Sequence, residues 1–150
     1  MNEINTRLTT LNRLAPVVVR LAVGGIMAYH GFDKFRGGIG NVEEFFAMAG
    51  VPAPELFAPV VAALELAAGV ALIVGVATRI AAATLAAVLV GAIAFVKAEV
   101  GIIATSGNMP GLELDLALLA GLVALVLLGP GQAAVDRVIG LERDELATVS

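Results

Sequence analysis

Four side chains in this sequence set ionisable chemistry in apolar surroundings: His30, Lys34, Glu65 and Glu113. Glu65 lies deep in an apolar run, with Ala62, Leu66, Ala68 and Gly69 around it. A carboxylate there can carry a proton or accept a hydrogen bond from a bound headgroup. It can equally be tied to a cation on a neighbouring helix, and the residues leave these readings level. His30 stands four residues before Lys34, so the two can meet on one helical face. An imidazole in that place can exchange protons with a ligand near neutral pH. The plainer reading is an interfacial His beside Tyr29, as in membrane anchoring belts. Glu113 heads a narrow stripe with Ala117 and Gly121, and Asp115 heads another with Leu118, Leu119 and Leu122. Asp115 reads as an acid placed to favour the positive end of a helix dipole, and Glu113 reads as the better candidate for chemistry. No electron carrier is encoded beside them. The chain has no Cys, which removes iron–sulfur, thiol–disulfide and zinc–thiolate chemistry of its own. Its one His cannot hold a haem between two histidines of one protomer, and no metal site is expected.

The elements that must position these groups follow from composition. Of 150 residues, 59% are hydrophobic and only 15% charged, where soluble domains carry about a quarter charged. Mean hydropathy is +0.97, so lipid is the expected solvent. A net charge of −4, with no Lys/Arg cluster, excludes a generally basic nucleic-acid binder. Four apolar runs have the length that crosses a bilayer as helix: residues 14–32, 57–77, 80–96 and 112–128. They are continuous rather than alternating, which favours helices over a barrel. Pro16 fits a first-turn position; Pro52, Pro54 and Pro59 precede or open the second run, and Pro110 precedes the fourth. Gly129-Pro130-Gly131 closes the last run. The expected fold is all-α, an integral membrane bundle of four transmembrane helices with short interfacial helices. Residues 1–13 form a cytoplasmic interfacial segment, 14–131 a single transmembrane domain, and 132–150 a cytoplasmic tail.

Within that frame, residues 1–13 read as a surface helix or a polar tail, and the first apolar run as a retained span rather than a cleaved signal. Val42 to Met48 reads as an interfacial helix capped by Asn41, and the alternation of Ala133, Val135, Val138 and Leu141 with charges as a second surface helix. Arg7, Arg13, Arg79, Arg137 and Arg143 fall on one side, and Lys34, Arg36 and Lys97 on the other. That bias puts both termini in the cytoplasm of a multi-pass plasma-membrane protein. Arg20, Gly24, Met27, Gly31 and Lys34 share one stripe of the first helix; Ala58, Ala62, Glu65 and Gly69 share one of the second. Small residues suit these stripes to close helix contact and to self-association. Arg20 reads as a snorkelling cation unless it turns inward to meet an acid, and Arg79 as a topology anchor.

At these positions the sequence resembles the DoxX family of small four-helix membrane proteins. Arg20 through His30-Gly31-Phe32-Asp33-Lys34-Phe35 is similar to its opening pattern. Glu65-Leu66-Ala67-Ala68-Gly69 and Gly75 with Thr78-Arg79 resemble its second stretch, and Asn108, Glu113, Gly129-Pro130-Gly131 and Asp136 its closing one. The resemblance implies a four-helix membrane fold and association with quinone-linked or thiol- and sulfur-linked redox complexes. The absence of Cys departs from any thiol role of the chain's own. The expected function is therefore a membrane subunit of a redox complex that contributes a quinone-contacting pocket, with protein partners and the bilayer around it. The alternatives are a structural or assembly anchor for a partner enzyme and, last, a small-solute or proton transporter.

Overall fold

In a computed structural model the chain is described over residues 3–97, 102–103, 111–131, 134–138 and 140, with residues 3–13 and 137 described by backbone alone. Six helices follow in order: α1 (Glu3–Gly37), α2 (Ile39–Met48), α3 (Pro54–Val74), α4 (Thr78–Phe95), α5 (Leu112–Leu128) and the single turn α6 (Val135–Val138). The described chain is helical because, in lipid, the backbone must satisfy its own polar groups. α1, α3 and α4 are long and apolar enough to cross a membrane. α5, at 17 residues, stands at the short end of the spanning range. Its bounds are those expected from the sequence, whereas α3 starts and ends three residues before the expected 57–77.

Residues 3–13 continue into the first span as one helix, so Pro16 lies inside α1 rather than in its first turn. The short helix before α3 starts at Ile39. Asn41 does not cap it; its amide donates to the Gly37 carbonyl oxygen at 2.7 Å, closing the end of α1 instead.

α1 packs on α3 and α5, and α4 packs on α3 and α5, closing a ring of four. Glycines set the closest approach. A Cβ on Gly31 would come within 2.7 Å of the Ala62 carbonyl oxygen, and one on Gly24 within 2.9 Å of Leu72 Cβ. Val23, Met27, Leu72, Leu85, Leu89, Leu122 and their neighbours fill the middle. The outward faces carry large apolar side chains such as Ile80 and Leu127, each about 70% exposed, as lipid-facing surfaces do. α2 and the end of α1 mark one end of the bundle, the α2 end; the α3–α4 turn marks the other, the turn end.

Candidate functional site

Both halves of the ring carry a Lys that reaches an acid on the next long helix. Lys34, near the C-terminus of α1, donates to Glu65 Oε2 on α3 at 2.5 Å. Glu65 is buried and Lys34 only partly exposed. Lys97, just beyond α4, pairs with buried Asp115 on α5 and lies near the Gly111 carbonyl oxygen at 3.5 Å. Each pair ties two neighbouring long helices together. Glu65 thus has a cation partner on a neighbouring helix, Lys34.

The two acids of α5 differ in burial, and not as their stripes suggested. Asp115 points into the core on the face of Leu118, Leu122 and Leu125, and Glu113 is exposed. Bulky Leu side chains claim the interior, so the acid on their face goes in with them and needs a cation. The smaller face of Ala117 turns outward with Glu113. His30 is exposed as well, and among the described residues no hydrogen bond or ion pair joins it to Lys34 or Glu65. The structure therefore unites Lys34 with Glu65 and separates His30 and Glu113 from them. Asn108 lies outside the described residues. Lys97 was missed as a partner, although its place after one span and ahead of an acid on the next mirrors Lys34 and Glu65.

At the turn end a second polar cluster forms. Arg20 is buried and its Nη1 donates to the Pro130 carbonyl oxygen at 2.9 Å, so it turns inward rather than snorkelling. Asp136 is wholly buried, and the expected surface helix is, over residues 134–138, a strap docked on the bundle. Its carboxylate accepts from the Ala77 and Thr78 backbone N–H groups at 2.6 and 2.9 Å and from Thr78 Oγ1 at 2.9 Å. It thereby caps α4 from 58 residues away. The Asp136 N–H returns a bond to the Gly75 carbonyl oxygen at 2.9 Å. Gly75 has φ +80°, and a Cβ there would meet the Arg20 guanidinium, so the turn needs glycine. Arg79 is tethered by Nη1 to the Val126 carbonyl oxygen at 2.9 Å.

The space for a ligand lies apart from all these charges. A cleft of about 460 Å³ opens between α3 and α4 beneath α2. Phe46, Phe57 and Phe95 are among the residues that line it, with Gly91 in its wall and Thr84 as the one polar side chain among the described lining residues. A Cβ on Gly91 would meet nothing within 4 Å. Among the described residues no group of three His, Asp or Glu could hold a metal ion.

Comparison with known proteins agrees with this architecture. The DoxX family model matches residues 15–98. Over 123 residues, 82% of this chain and 85% of the relative, the sequence is 34% identical to a protein of Bacillus subtilis (strain 168) named "Putative oxidoreductase CatD". No solved structure matches. Four packed helices, the family match over more than half of the chain and that relative lead to one conclusion: the chain belongs to the DoxX family.

Proposed function

We propose that this protein is a membrane subunit of a redox complex and that its α3–α4 cleft receives a lipid-soluble quinone. The observation that carries the reading is the cleft itself. At about 460 Å³ it falls within the size range of small-molecule sites, and its apolar wall suits an isoprenoid tail. Among the described lining residues Thr84 offers a side-chain hydroxyl that a ring carbonyl could meet. When bound, a quinone supplies two-electron, two-proton chemistry; the electrons come from a partner's cofactor. The chain's own residues bind the tail, exclude water and present the hydroxyl. The relative named an oxidoreductase supports a redox setting. Placement in the plasma membrane with the turn end in the cytoplasm is part of the proposal, supported by Arg20 and Arg79 at that end.

The chain has no Trp, so Phe95→Trp gives a single reporter at the cleft. Titration of the detergent-solubilised protein with decylubiquinone should quench it saturably. Adding Gly91→Leu, which puts a bulky side chain into the cleft wall at a point where a Cβ meets nothing within 4 Å, should remove saturation. Quenching that never saturates, or that Gly91→Leu leaves unchanged, overturns the proposal.

A second reading, a structural anchor for a partner enzyme, is favoured by the internal pairing of Lys34 with Glu65 and Lys97 with Asp115. Its signature is that changes at these pairs lower the yield of assembled complex and leave turnover per assembled complex unchanged.

A further inference from the structure

The α3–α4 cleft has two unlike ends. Its lining runs along α4 from Thr84 to Phe95, and along α3 from Leu64 back to Phe57. Thr84 is eleven residues before Phe95, about 16 Å at 1.5 Å per residue. A quinone ring is much shorter than that, so it can sit at one end or the other and not at both. The α2 end is an aromatic mouth of Phe46, Phe57 and Phe95, each from a different helix. The Thr84 end has aliphatic walls, Leu64, Ala87 and Val88, around one hydroxyl. That hydroxyl is unused. A Thr inside a helix commonly bonds back to the carbonyl three or four residues earlier. Among the described residues Thr84 Oγ1 has no hydrogen-bond partner, whereas Thr78 Oγ1 donates to Asp136.

We propose, resting on the reading of this cleft as a quinone site, that Thr84 is a positioning residue: the ring lies at the Thr84 end and the tail runs along α4 to the aromatic mouth. Apolar contact is interchangeable between ring and tail, and a hydrogen bond is not. An isoprenoid tail covers Phe57 and Phe95 much as a ring does, so the ring loses little by leaving them. A carbonyl placed in the mouth would find no side-chain donor among the described lining residues, and the Thr84 hydroxyl would stay unbonded as well. Leaving a buried polar group without a partner costs more than a typical hydrogen bond returns. With the ring at Thr84, hydroxyl and carbonyl satisfy each other. Between the two ends lies Gly91, where a Cβ would meet nothing within 4 Å, which leaves the tail a path. The side of the cleft is open too: Phe57, Val60 and Leu64 are exposed, so a tail longer than the cleft continues into the bilayer.

Two reporters at opposite ends read the orientation in a chain that has no Trp of its own. Leu64→Trp stands at the Thr84 end and Phe95→Trp at the mouth, and each full-length variant is titrated with decylubiquinone in detergent. Both should be quenched saturably, and more deeply at Leu64→Trp, because quenching falls off with distance from the ring. Val88→Trp serves the same end should Leu64→Trp fail to fold. In the reporter background Thr84→Val, which keeps the shape and removes the hydroxyl, should raise the half-saturating concentration about three- to tenfold. Thr84→Ser, which keeps the hydroxyl, should restore it. Equal or deeper quenching at Phe95→Trp, or a Thr84→Val titration that matches its parent, overturns the orientation and leaves the cleft standing as a quinone site. Saturation at neither reporter overturns both.

Discussion

Removing Glu65 tests whether the ion pairs hold the bundle or serve chemistry. The carboxylate lies 2.5 Å from Lys34 Nζ, with Glu65 about 8% and Lys34 about 23% exposed at their side chains. Glu65→Leu leaves an ammonium largely enclosed by apolar groups. Breaking a buried pair costs about 3–5 kcal/mol, and the partial access of Lys34 to the surface places this site at the lower end, about 3 kcal/mol. That is a roughly 150-fold fall in the folded-to-unfolded ratio at 25 °C. Lys34→Met should cost a similar amount by stranding the carboxylate. The double variant Lys34→Met/Glu65→Leu removes both charges and replaces them with apolar volume, so it should return to within about 1 kcal/mol of the parent. Unfolding followed by far-UV circular dichroism, as the SDS fraction of mixed micelles rises, measures all four corners of the cycle. If the double variant loses the sum of the single losses, or if Glu65→Leu costs less than about 0.5 kcal/mol, the stapling argument is refuted. A double variant that folds and assembles yet leaves its complex inactive would instead give these groups a chemical role.

Two further outcomes follow from the same reasoning. In the same assay Asp115→Leu should cost about 3 kcal/mol because it strands Lys97, whereas exposed Glu113→Leu should stay within about 0.5 kcal/mol. Asp136→Ala should strip three donors of their acceptor, at about 1 kcal/mol each, lowering Tm in detergent by roughly 6–12 °C for a chain of this size.

Much of this protein follows from its residues in order. The apolar runs predict membrane helices because bilayer thickness sets helix length and lipid forbids unpaired backbone. The stripe from Arg20 to Lys34 and that from Ala58 to Gly69 are the faces that pack together, since only small residues let two backbones come so close. A carboxylate at Glu65 must find a cation or a proton, whatever the fold. Periodicity fixes which residues share a face, not which face turns inward, and on α5 that choice depends on what the neighbouring helices offer. There the ring of packed helices decided it. Leu118, Leu122 and Leu125 were needed to fill the centre, so Asp115 went in with them and Lys97 came to meet it, while Glu113 stayed outside. Asp136 shows the same limit at longer range. Its task is to close a helix end 58 residues away, and such a partnership exists only once the chain has returned to the turn end of the bundle. The cleft beneath α2 is likewise a space between helices, written in no single segment.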